Sequence, residues 1–428
     1  MTRLASNSTS LSLPGADDIH RRELSNGIVI LVRSNFNSPS VVVNGYLLAG
    51  SLLEQDEKLG LADFTADALL RGTEQYTYHE IYDRLETEGA NLHINGGIHT
   101  TGFGSNALAE DLGLLLDLLA EALRRPTFPA EQVELLRARM LTSLAIRAQD
   151  TREMASLTFD QITYPGHPYS RPHDGFPETV QAITRDDLVE FHQMHYGPRG
   201  MVISVVGAVE ADEVIPRVES LLGDWENPIQ KLPPGLPPNP DPAEPLRRKI
   251  EISGKFQTDL MVGVIGPERR ADDFVPAALG NNILGVFGMM GRIGESVREE
   301  AGLAYYAYSH LSGGMGPGAW YVSAGVDPGN VDKALDLIRQ EINRFSTEAV
   351  TEDELADSQS NFIGRLPLSL ESNTGMASAI LNLERYDLGL DYYRSYQDIV
   401  REVSVEDILA SAQRYWAEGR LAVGIAGS

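Results

Sequence analysis

A proline-rich segment near the middle of the chain constrains the fold more than any other feature of the sequence. Residues 228–245 read PIQKLPPGLPPNPDPAEP, with eight prolines in eighteen positions. Because proline fixes φ and has no backbone N–H, this segment can form neither a helix nor a central strand. We predict an extended linker that leaves about 200 residues on each side, a common size for one domain.

The two sides of this linker follow the same pattern. Residues 184–207 (TRDDLVEFHQMHYGPRGMVISVVG) and 404–427 (SVEDILASAQRYWAEGRLAVGIAG) each read as an amphipathic helix, a short turn and an apolar strand. Glu121 and Glu341 are separated by the same number of residues as these two segments, and each lies within an apolar-periodic helix. This common register predicts two copies of one domain.

Strand-like and helix-like patterns in the first half are typical of an α+β fold. The predicted strands are residues 27–33, 40–48, 91–95 and 201–206, and the predicted helices are residues 108–125, 131–149 and 184–195. In each half we expect a mainly antiparallel sheet with helices packed on one face. The predicted limits are a flexible N-terminus (1–19), an N-terminal domain (20–227), the linker (228–246) and a C-terminal domain (247–428).

Charge and composition argue against several functions. The net charge of −26 repels nucleic acid and anionic lipid, so neither is expected as a partner. Such acidity favours basic peptides or simply serves solubility, and the second interpretation is preferred. The absence of cysteine excludes disulfides, thiolate metal sites and a cysteine nucleophile. The sequence shows no signal-like N-terminus and no run of about 20 apolar residues, which predicts a cytoplasmic protein.

Five segments carry a resemblance to a known family. They are AGSLLEQDEKLGLADFTADALLRGT (49–73), RRPTFPAEQVELLRARM (124–140), YPGHPYSRP (164–172), DDLVEFHQMHYGPRGMVISVVG (186–207) and RIGESVREEAGLAYYAYS (292–309). In this order they resemble the insulinase/pitrilysin family of zinc peptidases, whose smaller bacterial members are similar to the mitochondrial processing peptidase. The resemblance implies two homologous α+β domains per chain, forming half of a clamshell that closes around a peptide.

The first of these segments contains the frame of the family's metal motif. The family pattern is G-x-A-H-x-x-E-H, followed after a few residues by G-T, and its HxxEH core places two imidazoles on one helix face toward one zinc. The glutamate between them acts as the general base. The frame is intact here, because Gly60, Ala62, Gly72 and Thr73 all match the pattern.

The chemistry of that motif is missing. By the resemblance, Asp63 replaces the first histidine, Ala66 the general base and Asp67 the second histidine, while the third ligand falls near Thr142. The chain is therefore expected to bind no metal of its own. Asp63 and Asp67 stand at i and i+4, but two carboxylates are few even for Mg²⁺ or Ca²⁺. We interpret them as solvated acids or acids of the first helical turn.

A second signal lies in the C-terminal half, where Arg298 and Tyr305 stand close together in the chain. They resemble the family's Arg/Tyr pair, which donates hydrogen bonds to the substrate carbonyl as it becomes an oxyanion. The spacing fits a helix whose last turn holds Arg298, a stop at Gly302 and a strand that starts at Tyr305. The structural alternative is that Arg298 complements a helix dipole and Tyr305 is an ordinary strand residue. The flanking GLAY sequence favours the functional interpretation.

Glycines mark a third segment, LGVFGMMGR (284–292). In the family's non-catalytic processing-peptidase subunit, a glycine-rich loop near this place helps to bind substrate. The match implies that Gly285 and Gly288 contact a peptide, because glycine lets a backbone approach a ligand closely. The equal alternative is that these glycines only start a helix. The later GGMGPG run (313–318) predicts a hairpin turn.

Two histidines in FHQMHY, His192 and His195, lie three apart on a predicted helix. No third ligand accompanies them at convincing spacing, so helix packing or capping is preferred over a metal site.

These patterns lead to one preferred interpretation and two alternatives. The preferred interpretation is a non-catalytic, substrate-binding subunit of a heterodimeric zinc metalloendopeptidase, with zinc in a homologous HxxEH-bearing partner and an extended peptide as substrate. The first alternative is an inactive scaffold or peptide-binding homodimer that resembles the core subunits of the cytochrome bc complex. A free-standing enzyme that uses Asp63 and Asp67 with an unusual metal ranks last, because it lacks a general base.

Overall fold

The computed structural model describes residues 13–240 and 246–428. The strands are β1 (His20–Glu23), β2 (Val29–Ser34), β3 (Ser40–Leu47), β4 (Asn91–Asn95), β5 (Thr101–Leu108), β6 (Val202–Gly207), β7 (Leu246–Glu251), β8 (Thr258–Ile265), β9 (Ala304–Gly313), β10 (Pro317–Val326) and β11 (Ala422–Gly427).

Helices connect these strands in both halves. They are α1 (Leu61–Ala68), α2 (Tyr78–Thr87), α3 (Leu112–Arg124), α4 (Ala130–Arg147), α5 (Thr151–Thr163), α6 (Pro177–Ala182), α7 (Arg185–His195), α8 (Ala211–Leu222), α9 (Phe274–Gly285), α10 (Phe287–Ile293), α11 (Val331–Thr347), α12 (Glu352–Ser369), α13 (Asn373–Arg385), α14 (Tyr392–Arg401) and α15 (Val405–Tyr415).

The strands form two sheets of the same topology. The first has the order β1-β2-β6-β3-β5-β4, and the second has the order β7-β11-β8-β10-β9. Each contains one parallel pair, β2 with β6 and β7 with β11, and its other pairs are antiparallel. Apart from the extra edge strand β1, the two orders correspond strand by strand. The predicted α+β fold with two mainly antiparallel sheets is confirmed.

The predicted register of the repeat is also present in the structure. At the offset read from the sequence, α7 coincides with α15 at both of its ends, and β6 coincides with β11 at both of its ends. Both helices start with a hydroxyl side chain that accepts a hydrogen bond from the third helical N–H, namely Thr184 from Asp187 and Ser404 from Asp407. The local sequence therefore sets the same helix start in both halves.

Helices of each half cover one face of that half's own sheet, as predicted. In the first half, buried side chains of α1, α3, α4, α7 and α8 pack with those of the strands into one core. In the second half, α9, α11, α12 and α15 do the same. These two cores supply most of the apolar burial that stabilises each half.

The opposite face of each sheet is covered by a helix from the other half, which the sequence analysis did not predict. Helix α13 packs Met376, Ala377 and Ile380 against the first sheet, and α5 packs Ala155 and Phe159 against the second. These two helices occupy equivalent places in the repeat, because each follows the long helix (α4 or α12) of its own half. The halves are thus joined by a reciprocal exchange of equivalent helices.

The exchanged helix α5 lies very close to its sheet. A Cβ atom added at Gly424 in β11 would stand 2.6 Å from the carbonyl oxygen of Ala155 and 2.7 Å from the backbone nitrogen of Phe159. At the other exchange, Asn35 donates a 2.7 Å hydrogen bond to the Asn373 side chain at the start of α13. Close packing and polar contacts therefore both hold the helices in place.

Two predicted boundaries need correction. Residues 1–12 of the predicted flexible N-terminus lie outside the described residues, but Ile19 is buried and Leu13 packs against the α13 core, so residues 13–19 belong to the fold. Within the linker, residues 228–240 contain no helix or strand, as predicted, and 241–245 lie outside the described residues. The linker ends at residue 245, because Leu246 already pairs with Ala422 in β11.

One further helix boundary was predicted too early. The α3 helix was expected from residue 108, but it begins at Leu112 and ends at Arg124, shortly before Pro126. Residues 101–108 form β5 instead, and Leu108 pairs with Ser40 in β3. The apolar pattern of the helix runs directly into that of the strand, so the sequence alone does not separate them.

Within residues 13–240 and 246–428, one helical region is long and apolar enough to cross a membrane by length and composition alone, in contrast to the sequence expectation. It spans Phe274–Glu300 and includes α9, α10 and a π-helical turn, Gly294–Glu300. Much of it packs in the core of the second half, where Asn281 accepts a hydrogen bond from the indole N–H of Trp320. Such packing is typical of a core helix.

The helix exchange predicts that α13 contributes strongly to stability. Truncating the buried Ile380 to alanine leaves a cavity between α13 and the first sheet, so Ile380→Ala should lower the free energy of unfolding by roughly 2–5 kcal/mol. Urea denaturation followed by circular dichroism measures the change. The control is Leu368→Ala, whose side chain is 70% exposed and whose effect should stay within about 0.5 kcal/mol. Equal effects of the two variants would contradict the structural role of the exchange.

Candidate functional site

Helix α1, which carries the degenerate metal motif, starts at an unusual cap. Gly60 precedes it with φ +93°, a conformation that favours glycine. The buried carboxylate of Glu54 accepts hydrogen bonds from the backbone N–H groups of Gly60 (3.2 Å) and Ala62 (2.6 Å). Burial raises the pKa of Glu54 to about 8, against the opposing effect of these two N–H donors. Gly60 and Ala62 of the motif frame therefore have a structural role at the helix start.

Asp63 and Asp67 both lie on α1 and are partly buried. Burial raises the pKa of Asp63 to about 7, and the charges of Asp67 and Asp174 act in the same direction. The pKa of Asp67 is also raised by burial, although nearby arginines oppose this. Gly96 is packed against Asp63 so closely that a Cβ there would lie 2.5 Å from the Asp63 Cα. Of the two sequence-based interpretations, the first-turn position holds for Asp63, whereas the solvated alternative is wrong, because the fold partly desolvates both acids.

The other two degenerate positions offer no metal chemistry. Ala66 is buried in the core below α1 and has no functional group. Thr142 is exposed on α4, and its hydroxyl donates a 2.8 Å hydrogen bond to the backbone carbonyl of Ala138 in the preceding turn. Among the described residues, no group of three or more histidine, aspartate or glutamate side chains is placed to hold a metal ion. The residues at the motif do not fit a zinc ion.

Arg298 and Tyr305 have the local geometry that the sequence predicts. Gly302 ends the π-helical turn with φ +62°, and the N–H groups of Gly302 and Leu303 donate to the carbonyls of Arg298 (3.1 Å) and Val297 (3.0 Å). The Gly302 bond is the single bond of an αL helix end, and the Leu303 bond closes a wider turn around it. Strand β9 follows from Ala304. The turn fixes the direction in which the chain leaves the helix, so it also sets the relation between Arg298 and Tyr305.

Both of these side chains reach the surface. Tyr305 is 65% exposed, and the Arg298 Nε lies 3.6 Å from a carboxylate oxygen of its neighbour Glu299. An exposed ion pair of this kind contributes little stability. The surface position leaves both donors accessible to a second molecule. Their role in binding substrate stays a prediction.

The two glycines of the predicted substrate loop have different surroundings. Gly285 is buried, and a Cβ added there would stand 2.3 Å from the backbone nitrogen of Ser309 in β9, so it allows close packing of helix and strand. Gly288 is exposed with φ +63° and has no atom near a Cβ position among the described residues. Beside it, Phe287 is also exposed. Only Gly288 is therefore placed to approach a ligand.

His192 and His195 have the packing role that the sequence analysis preferred. His192 Nε2 lies 2.8 Å from the carbonyl oxygen of Leu123, and burial lowers its pKa to about 4. His195 Nδ1 lies 3.2 Å from the carbonyl oxygen of Lys231, and burial lowers its pKa too. Both rings tie α7 to neighbouring segments of the chain.

Comparison with known families decides the assignment. Residues 29–172 match the family model described as insulinase (peptidase family M16), and residues 182–362 match the model described as peptidase M16 inactive domain. The chain belongs to the insulinase/pitrilysin peptidase family. The first match lies within the N-terminal half of this family member, and the second runs from the end of that half across the linker into the C-terminal half.

Relatives of similar length carry the name of zinc protease. The chain is 28% identical over 383 residues to an uncharacterized zinc protease of Mycobacterium leprae, covering 88% of this chain and 84% of that one. It is 25% identical over 403 residues to the uncharacterized zinc protease YmxG of Bacillus subtilis, covering 94% and 96%. In contrast to what these names state, this insulinase-family chain shows no metal-binding group among its described residues.

Solved structures show the same fold at lower identity. A peptidase M16 inactive domain from Pseudomonas fluorescens has a TM-score of 0.89 at 22% identity, covering 96% of this chain and 98% of that one. A Helicobacter pylori protease also has 0.89, at 19% identity and 97% and 100% coverage. A chain of complex III2 from Candida albicans has 0.78 at 15% identity, covering 95% of each.

Sequence reasoning missed the surroundings of the degenerate motif. Glu54 was not singled out, although an acid shortly before a helix start is a signal for capping. Asp174 was also missed, because it is distant from Asp63 along the chain and approaches it only through the fold. Gly96 could not be connected with α1 from the sequence.

The raised pKa of Asp63 predicts a pH-dependent cost to folding. An unfolded aspartate has a pKa of about 3.9, so the unfolded chain releases this proton at lower pH than the folded one. The contribution of Asp63 to the free energy of unfolding therefore falls as pH rises from about 4 to about 7. Asp63→Asn should be more stable than the wild type by roughly 1–3 kcal/mol at pH 8, with the gain shrinking toward pH 4.

Urea titrations of both proteins between about pH 4 and about pH 8 measure this difference. The control is Asp336→Asn, because Asp336 is exposed on α11 and its replacement removes the same charge without removing a buried group. A pH-independent gain for Asp63→Asn, or an equal gain for the control, would contradict the desolvation of Asp63.

Proposed function

We propose that this chain is the non-catalytic, substrate-binding subunit of a heterodimeric zinc metalloendopeptidase that cleaves extended peptides. The observation that carries the proposal is a contrast within one chain. The motif frame is intact but holds no ligand and no base, whereas Arg298 and Tyr305 keep the family's spacing at an accessible surface. Loss of the metal chemistry with retention of the two donors fits a division of labour between two subunits.

In this arrangement the partner is a homologous subunit with an HxxEH motif and its zinc. The guanidinium N–H groups of Arg298 and the phenolic O–H of Tyr305 would donate hydrogen bonds to the scissile carbonyl. Donors that are already in position when negative charge develops on an oxygen stabilise the transition state.

The short separation of Arg298 and Tyr305 along the chain supports their role as paired donors. The backbone hydrogen bonds of Gly302 and Leu303 hold Arg298 and the start of β9 in one rigid turn. Rigid support lowers the entropy cost of holding two donors toward one oxygen. Gly288, which is exposed within the helical region that leads to this turn, would provide a backbone contact with the peptide.

A second candidate function is an inactive scaffold or peptide-binding homodimer. The similarity in fold to a chain of complex III2 from Candida albicans favours it. A scaffold needs neither a zinc partner nor the Arg/Tyr pair. Isolation of the tagged chain from its native cells separates the two candidates.

That isolation has two informative results. A stoichiometric second chain of similar size with HxxEH, together with peptide cleavage that requires the complex and stops with a zinc chelator, supports the divided enzyme. Recovery of a homodimer that lacks zinc and peptidase activity supports the scaffold.

The donor role predicts the effect of two substitutions on the assembled pair. Arg298→Ala and Tyr305→Phe each remove a hydrogen bond to the developing oxyanion and should lower kcat by about 10²-fold. Steady-state cleavage of a fluorogenic peptide measures this. Arg339→Ala is the matched control, because Arg339 is exposed on α11 in the same half, and it should leave kcat unchanged. Unchanged kcat in both donor variants would exclude the oxyanion role.

A further inference from the structure

A cavity of about 570 Å³ lies between the two halves. The exchanged helix α5 and the segment after it contribute Asp160 and Tyr164 to its lining. The hairpin of β9 and β10 contributes His310 and Tyr321, and His99 closes it from the first half. The cavity therefore exists only because the halves exchange helices.

Asp160 is the unusual residue of this cavity. No hydrogen bond or ion pair to its carboxylate is formed by any of the described residues, and the residue is partly buried on α5. Its pKa is raised to about 7, and burial is the cause. A carboxylate that is partly desolvated and has no partner is costly, so it calls for a ligand or a functional explanation.

The described residues that line the cavity around Asp160 include no lysine or arginine. His99 Nε2 lies 2.5 Å from the hydroxyl oxygen of Tyr169, and burial lowers the pKa of His99 to about 4. The pKa of His310 is lowered by burial as well. Both imidazoles are therefore neutral at physiological pH. Tyr164 and Tyr321 line the same cavity, and aromatic rings attract cations.

Three arginines of the surrounding elements stack on aromatic rings instead. Arg152 stacks over Tyr308 with its Cζ 5.3 Å from the ring centroid, and Arg269 stacks over Tyr392 at the same distance. Arg385 lies over the ring of Tyr46 on the first sheet at 4.6 Å. None of the three contributes to the pKa shift of Asp160. The carboxylate of Asp160 is therefore available to a cationic group of a bound molecule.

The geometry selects an organic cation over a metal ion. Asp160, His99 and His310 do not form a group that could hold a metal, since the described residues contain none. A guanidinium or ammonium group, in contrast, needs only one carboxylate for a charge-assisted hydrogen bond and aromatic faces for the remaining surface. The volume is sufficient for a long basic side chain.

We propose that this cavity binds the side chain of an arginine or lysine of a peptide, with Asp160 as its carboxylate partner and Tyr164 and Tyr321 as its aromatic walls. The inference rests on the proposed function in that a peptide carries the cation. The net charge of −26 adds to it, because an acidic protein raises the local concentration of basic peptides.

The direct test uses small probes that need no peptide groove. Nα-acetyl-arginine methylamide is compared with the citrulline analogue, a neutral molecule of nearly the same shape, by ligand-observed NMR with the full chain. We expect the arginine probe to bind at least about tenfold more tightly than the citrulline probe. In Asp160→Asn this preference is lost.

The variants are chosen so that a loss of binding can be distinguished from misfolding by measuring Tm. Asp160→Asn removes an unpaired, partly buried charge, so its Tm should rise or stay unchanged while it loses the probe. Asp357→Asn is the charge-matched control, because Asp357 is exposed on α12, and it keeps the arginine preference. Tyr321→Leu keeps the carboxylate and should weaken the arginine probe severalfold through loss of the cation–π contact.

Peptides separate this inference from the proposed function. Two nonapeptides that differ only in one arginine or citrulline are titrated into the same proteins. Equal binding of both peptides would refute the binding of an arginine side chain in this cavity, but it would still support peptide binding by the chain. If the arginine probe binds in an Asp160-dependent way but neither nonapeptide binds, the cation site is supported and the proposed peptide-binding function is refuted. An arginine preference that persists in Asp160→Asn also overturns the inference, because another group would then hold the cation.

Discussion

The exchange of helices α5 and α13 is the interaction on which the rest of the structure depends. Each sheet has two apolar faces, and its own half supplies helices for only one of them. The other face is buried by the equivalent helix of the other half. Separation of the halves would expose both second faces to water at once. The relative position of the halves, and with it the cavity around Asp160, therefore follows from apolar burial.

The helix exchange can be predicted only in part from the sequence. Strands β6 (VISVVG) and β11 (AVGIAG) are buried at every position, and an unbroken apolar run indicates a strand that is covered on both faces. It does not say which helix provides the second cover. The periodicity of α5 or α13 marks an apolar face without naming its partner. Register and topology were therefore predictable, but the connection between the halves was not.

The degenerate motif shows why a preserved frame is poor evidence for preserved chemistry. Gly60 and Ala62 are needed for the start of α1, where Glu54 accepts their N–H groups. Gly96 allows the strand end to approach the helix at Asp63. These positions remain constrained after the ligands are gone, because they serve packing. The absence of ligands could be predicted from the sequence, whereas the partial burial of Asp63 needed the fold.

The Arg/Tyr pair and the cavity carboxylate differ in what they need from a partner. Arg298 and Tyr305 gain little from their own chain, since one has only an exposed neighbour and the other is mostly in solvent. Asp160 has no partner among the described residues and is partly buried, and burial raises its pKa, so its ionised form is disfavoured without a nearby cation. Both features fit a subunit in which a bound peptide supplies the missing interaction partners. A scaffold would explain the helix exchange equally well, but it gives no physical reason to keep an unpaired carboxylate in an aromatic cavity.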